Sequence, residues 1–474
     1  MTANAERSPL RAADARLLAP VPVRRVQLLG SLDEWAAALH AAGIEVVDRD
    51  ADLVVASPRL AKPASGLGAP AVLVLGSRRG PLRRAGYVTR TLLVRLGPSA
   101  PRLFVPVDAR FAAQHALLSR IPGRSAPKRF AIQTVLTALR CGLPIHGAIT
   151  LGTQRLAAPR ILDAALGSQA GPTSEWYLVT GEGDDLQRLV WFCFGDGPDP
   201  QWVVKSSRVP GNSAPFAREE ESLASLDSLP PELRRHAPRV ARRLDVDGLP
   251  AAVETAANGQ PLHILLQRGS ATHTAVIGEI ADWALAVATA TRLPTAELEP
   301  ELVRLRGIRA DVVGALPPLP AVLQHNDLGC WNILVRKHDF VVVDWESSRR
   351  AGLPLWDLVY FLTDALTAGA DAGKAARVAS LLRGELDSSC VLFARLRSAA
   401  ERLGIPGGAV GPIVTLAWLH HGLSAAERAQ VGREHAAQTN APSAAGPLQR
   451  VATYWLSDPA LGVDWKAFAA AGAG

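Results

Sequence analysis

The stretch from Ala321 to Leu362 constrains this chain more than any other. In it His325, Asp327, Asn332 and Asp344 stand at fixed spacings around two apolar runs, ILV and FVVVD. Short β-branched runs bounded by polar residues favour strands, so the pair reads as a hairpin turning around Arg336 to Asp339. Pairing the strands returns Asn332 and Asp344 to one end. Two oxygen ligands then converge. A hard cation such as Mg²⁺ suits them, because it usually takes one or two protein carboxylates and completes its shell with phosphates and water. Asp327, five residues before Asn332, is left facing a substrate.

The pattern H-x-D-x-x-x-x-N over His325 to Asn332, followed by Asp344-Trp345-Glu346, resembles the aminoglycoside phosphotransferase and choline kinase-like family, which shares the protein-kinase-like fold. The resemblance implies an α+β, bilobal molecule with a β-rich N-lobe and a helical C-lobe. It implies ATP as cofactor, with Asn332 and Asp344 holding Mg²⁺ on the nucleotide phosphates. Asp327 would accept or position the acceptor hydroxyl proton. His325 is implied to pack the loop, and Asp357 in PLWDL to hydrogen-bond the loop backbone, both as structural supports. Two departures stand out. Asn326 replaces the family's glycine after the histidine, and Gly329-Cys330-Trp331 replaces its His-Pro-Gly.

An upstream nucleotide lobe is also readable. WYLVTGEGDDL, RLVWFCF and QWVVKSS read as three strands joined by turns, with Lys205 ending the third. The chain has 51 Lys+Arg, of which only six are lysines, so a lysine at such a position stands out. In the resembled family a lysine there contacts the α- and β-phosphates and pairs with a helix glutamate. PFAREEESLASL supplies the helix, with Glu219 the first choice and Glu220 the second. Gly181 and Gly183 fit a phosphate-contacting loop or an ordinary turn equally well. AAVETAANGQPLHILL resembles the hinge, where backbone groups of Val253 to Thr255, Glu254 among them, would meet adenine and Gly259 would turn the chain.

Residues 1–130 lie outside the resemblance. Their alternation of VQLLG, LDEWAAALHAAG, IEVVD, LVVAS, AVLVLG and LFVPV reads as a small α/β domain. The segment carries 20 Lys+Arg against 9 Asp+Glu, whereas the rest of the chain is slightly acidic. Such asymmetry points to an anionic partner or membrane surface for this domain, or to a merely solvated arginine-rich face. Few aromatics interleave the arginines, which disfavours nucleic acid. The expected organisation is a basic α/β domain at 1–130, a helical linker at 131–172, an N-lobe at 173–255 and a helical C-lobe at 256–474.

A 48% apolar, 20% charged composition is that of a folded protein. No run reaches the ~18 apolar residues of a spanning helix, and the N-terminal segment lacks the apolar core of a signal peptide, so a cytoplasmic location is expected. Cys141, Cys193, Cys330 and Cys390 lack paired C-x-x-C spacing, against a zinc or redox motif. The expected function is Mg-ATP-dependent phosphoryl transfer to a hydroxyl of a small-molecule or glycan-like acceptor. The competing reading is a catalytically silent nucleotide-binding scaffold, and a third, ranked last, makes the N-terminal unit a second catalytic domain. After Ala365 there are ten Lys+Arg and eight Asp+Glu, which is no sign of the acidic pocket a polycationic acceptor would favour.

Overall fold

The computed structural model describes residues 12–94, 103–120, 130, 134, 137, 148–167, 175–180, 186–267, 272–337, 339–368 and 374–439. They fall into two compact units. Among the described residues, the first draws on 12–213, 240–256 and 432–439, the second on 214–239 and 257–431. Gly181 and Gly183, the phosphate-loop candidates, lie outside the described residues.

A 12-stranded sheet runs through the first unit. Strands β1 (Arg25–Leu29), β2 (Glu45–Val46), β3 (Leu53–Ala56) and β4 (Ala71–Val74) form its parallel part, in the order β2-β1-β3-β4. Helix α1 (Asp33–Ala41) connects β1 to β2. Every residue of β3 and β4 is buried, which is why LVVA and AVLV are continuous apolar runs instead of alternating ones. Beyond β4 the sheet continues with β5 (Val88–Leu93), β6 (Leu103–Pro106) and β7 (Ala148–Thr153), with β7 inserted antiparallel between β4 and β5. The antiparallel part comprises β8 (Trp176–Val179), β9 (Leu189–Phe194), β10 (Pro200–Ser206), β11 (Val240–Val246) and β12 (Leu249–Thr255), ordered β8-β9-β10-β12-β11. Strand β6 joins it through Leu103 opposite Val179 and Phe104 opposite Leu178.

The α/β segment and the strands expected to form an N-lobe therefore share one sheet. Within 131–172, read from sequence as a helical linker, the described residues include β7 and helix α2 (Arg160–Leu166). Side-chain alternation sorts two cores on the sheet's faces. Leu189, Trp191 and Cys193 point to one side with Trp176 and Leu178, while Phe192 and Phe194 point to the other with Tyr177. Trp176 meets Trp191 edge to face at 5.2 Å, and Tyr177 stacks on Phe192 at 4.6 Å.

The second unit is mainly helical: α3 (Ala214–Asp227), α4 (Thr272–Ala290), α5 (Glu299–Gly314), α6 (Trp356–Leu366), α7 (Ser389–Leu403) and, as far as Val431, α8 (Val410–Thr439). It holds two small sheets, β13 (Gln260–Pro261) with β15 (Ile333–Arg336) and β16 (Asp339–Val342), and β14 (Val322–Gln324) with β17 (Arg349–Gly352). A β-carbon on Gly259 would lie 2.8 Å from the Val335 carbonyl oxygen, so only glycine permits the approach that starts β13. The chain thus adopts the α+β class, with a strand-rich and a helix-rich unit. Among the described residues no helix is long and apolar enough to cross a membrane.

Candidate active site

The hairpin forms as its sequence dictates. Strand β15 pairs antiparallel with β16, Ile333 opposite Val342, and the Val343 N–H donates to the Asn332 carbonyl at 2.9 Å. Asn332 and Asp344 consequently leave the hairpin at the same end. Between β14 and β15 the chain runs from His325 to Gly329 and then makes a 3-10 turn over Cys330–Asn332. The turn is tight. A β-carbon on Gly329 would fall 2.5 Å from the Trp331 ring, so the glycine is what lets the indole fold back over the loop.

Asp327 sits half-buried at the centre of this loop. The Asn332 Nδ2 donates to both its carbonyl oxygen and its Oδ2, each at 2.9 Å. The Trp331 side chain donates to the same carboxylate, as does the Tyr360 hydroxyl from α6. Burial pushes the Asp327 carboxyl up to about 7, helped by the neighbouring carboxylates of Asp344 and Glu346 and opposed by the Trp331 and Asn332 donors. A carboxyl in that range can hold or take a proton at neutral pH, which is what a hydroxyl-activating group needs.

His325 is no competitor for that role. Its Nδ1 accepts the Asp327 N–H at 3.3 Å, and its Nε2 lies 3.1 Å from the Val343 carbonyl, to which it must donate. Both ring nitrogens are engaged and the ring is fixed edge to face with Trp345 at 4.6 Å. The loop backbone hangs from α6. Asp357 accepts the N–H of His325 at 2.6 Å and of Asn326 at 2.9 Å, and Asp364 accepts that of Cys330 at 2.8 Å. Burial raises the Asp357 carboxyl to about 7, against the pull of its two N–H donors.

Glu219, on α3, is buried, and its carboxylate accepts the N–H of Trp345 at 3.1 Å, the residue after Asp344. Arg218 and Ser222 make parallel contacts, Arg218 Nε donating to the Glu346 carbonyl at 3.1 Å and Ser222 Oγ lying 2.7 Å from Ser348 Oγ. Helix α3 thus fixes the turn that follows Asp344. In the first unit, Lys205 on β10 is buried, and its Nζ lies 3.0 Å from the Glu254 carboxylate on β12. Glu254, expected from sequence for its hinge backbone, also contributes its side chain.

Sequence reasoning passed over Tyr360, Asp364 and the side chain of Trp331. A signal for the first two was available. Asp357, Tyr360 and Asp364 recur at i, i+3 and i+7 in the otherwise apolar α6, which puts them on one helix face. The metal expectation fits the donors present. Because the Asn332 amide nitrogen is turned to Asp327, its oxygen is the end left to face a cation, and Asp344 supplies a carboxylate beside it. Among the described residues no group of three or more His, Cys, Asp or Glu is arranged to hold an ion by itself. Asn332 and Asp344 would therefore need phosphates and water to complete a shell.

Residues 277–388 match the model of a phosphotransferase enzyme family. No curated protein matches the chain. Among solved structures, a thermostable mutant of aminoglycoside phosphotransferase APH(4)-Ia, in ternary complex with AMP-PNP and hygromycin B, is 14% identical. It covers 66% of this chain and 98% of its own, with a TM-score of 0.37. Aminoglycoside phosphotransferase APH(3'')-Id from Streptomyces rimosus is 18% identical over 54% of this chain and 94% of its own, TM-score 0.35. A glucosamine kinase complex with glucosamine, ADP and phosphate is 18% identical over 65% and 85%, TM-score 0.33. The similarity to the phosphotransferase enzyme family thus falls on the segment that carries Asp327, Asn332, Asp344 and Asp357.

Proposed function

We propose that this protein is an ATP- and Mg²⁺-dependent phosphotransferase that moves the γ-phosphate to a hydroxyl of a small-molecule or glycan-like acceptor. The observation that carries the reading is the loop itself. Asp327 is raised to about 7 and held by Asn332, Trp331 and Tyr360, beside the Asp344 carboxylate, within the segment similar to phosphotransferases. In this reading Asp327 aligns the acceptor hydroxyl and takes its proton as the oxygen attacks the phosphorus and the bond to ADP breaks. Asn332 and Asp344 bind Mg²⁺ through oxygen, and Lys205 contacts the nucleotide phosphates. When bound, Mg²⁺ supplies charge neutralisation at the phosphate oxygens. Because Asn332 also donates to Asp327, a single side chain links the proposed metal ligands to the proposed base.

The test is a turnover screen of Mg-ATP against sugars, amino alcohols and nucleosides, read by an 80-dalton mass gain on the acceptor, about the mass of one added phosphoryl group with its replaced proton. Transfer that disappears in Asp327→Asn supports the reading. Nucleotide binding without transfer to any acceptor would favour the scaffold alternative.

A further inference from the structure

Asn326 stands between His325 and Asp327 with φ +69, the left-handed region where a side chain is strained and glycine is not. Asparagine tolerates this region better than most residues, yet glycine would fit without cost. The side chain must therefore do something glycine cannot. Its Nδ2 donates to the Ser347 carbonyl at 2.9 Å, in the turn that follows Asp344. That donation fixes the amide orientation, since a carbonyl can only accept, and leaves Oδ1 as an acceptor. Gln324 Nε2 reaches Oδ1 at 3.1 Å and His420 Nε2 at 2.6 Å.

His420 is fully buried on α8, and its ring packs edge to face on Trp356 at 5.1 Å. Its Nε2 must carry a hydrogen toward Asn326 in either protonation state of the ring. The opposite nitrogen, Nδ1, abuts the buried carboxylate of Glu301 on α5 and lies 2.6 Å from Arg304 Nη2. Glu301 is itself held by Arg304 at 2.8 Å and by Arg349 of β17 at 2.5 Å, and Arg304 reaches Glu427 at 2.6 Å. The chain of contacts is continuous from three elements of the second unit to one amide in the loop.

We propose that Asn326, His420 and Glu301 form a clasp in which the buried histidine and glutamate act as positioning residues, locking the Asp327 loop to the turn after Asp344. None of the three touches the reacting atoms. The clasp makes the relative placement of Asp327 and Asp344 depend on α5 and α8, two helices on either side of the loop in sequence. This inference rests on the proposed phosphotransferase reading only for its effect on turnover; its effect on the loop stands apart from it.

The test measures hydrogen–deuterium exchange in peptides covering 324–333 and 343–349, together with Mg-ATP turnover using water as acceptor. His420→Phe should raise exchange in both segments by about tenfold, the effect of one lost buried hydrogen bond, and Asn326→Gly, which also gives up the bond to the Ser347 carbonyl, by at least as much. The double variant should do no more than Asn326→Gly alone, because that substitution already breaks the link to His420. His420→Gln, whose amide nitrogen can occupy the position of Nε2, should restore most of the protection. Where turnover is measurable, kcat should fall in the clasp variants while KM for Mg-ATP stays unchanged. Additive effects in the double variant, or wild-type exchange in Asn326→Gly, would overturn the clasp. Asn326→Gly relieves backbone strain and so remains informative if His420→Phe does not fold. The exchange arm decides the clasp whether or not water serves as acceptor, and the acceptor screen decides the phosphotransferase reading separately.

Discussion

Removing Lys205 is expected to damage the strand-rich unit as well as any nucleotide contact, and the two effects can be separated. Lys205 on β10 lies opposite Ala252, and Glu254 lies opposite Val203, so the two are diagonal neighbours on the same face of the sheet. Their side chains are 6% and 3% exposed and form an ion pair at 3.0 Å. Breaking a buried pair from one side costs about 3–5 kcal/mol, because the remaining charge stays desolvated without that counter-ion. For a unit of this size each kcal/mol lowers the melting temperature by roughly 2–4 °C, so Lys205→Met should melt roughly 10 °C below wild type in scanning calorimetry. Lys205→Met combined with Glu254→Gln removes both charges and should regain most of the loss. Transfer should stay low in that double variant if Lys205 also serves the phosphates. A single variant that melts with wild type refutes the buried-pair reasoning, and a double variant with restored transfer refutes the phosphate role.

Asp344→Ala should abolish calorimetric binding of Mg-ATP with the melting temperature retained, and unchanged affinity would remove Asp344 from the metal assignment. Asp327→Asn should bind Mg-ATP as wild type does and lose transfer by two or more orders of magnitude, roughly the contribution of a positioned base, as measured with the acceptor found by screening. Burial pushes the His421 imidazole down to about 4, below its ordinary value of 6.5. The unfolded chain then binds the proton first, so the contribution of His421 is complete above pH 6.5 and is lost as the pH falls toward 4, by up to about 3 kcal/mol. Urea midpoints for His421→Gln should therefore fall less than those of wild type across that window, and parallel curves would exclude the effect. Replacing Arg78, Arg79, Arg83 and Arg84 by glutamine should weaken salt-sensitive retention on anionic vesicles if this face meets an anionic partner, whereas equal retention identifies a solvated face. Two of these arginines already have local partners, Arg79 donating to Thr91 Oγ1 at 2.5 Å and Arg83 to Thr89 Oγ1 at 2.9 Å.

What could be read from the sequence was what depends on local spacing. The hairpin that brings Asn332 and Asp344 together follows from two apolar runs and a short turn, and the first strands and helix follow from their periodicity. Strands β5 and β7 were harder to see, because VTRTLL and AITLGT mix polar and small residues whose strand state is set by their sheet neighbours. The same limit applies around the Asp327 loop. The polar face of α6 was legible in principle, because one helix turn fixes the spacing of Asp357, Tyr360 and Asp364. No such rule links Asn326 to His420, 94 residues away, or His420 to Glu301, 119 residues away. Each of those residues alone reads as an ordinary polar side chain in a loop or helix, and only the packing of α5 and α8 makes them one network. Asn326 carried the single sequence hint, since it stands where the resembled family has glycine. A residue that accepts left-handed strain in place of glycine marks a place where a side-chain contact is worth more than backbone ease. The departures from the family motif are therefore where this chain's own solution to holding the loop is written. Trp331 supports the same argument: it folds over Gly329 and donates to Asp327, so the altered tripeptide adds a contact to the proposed base.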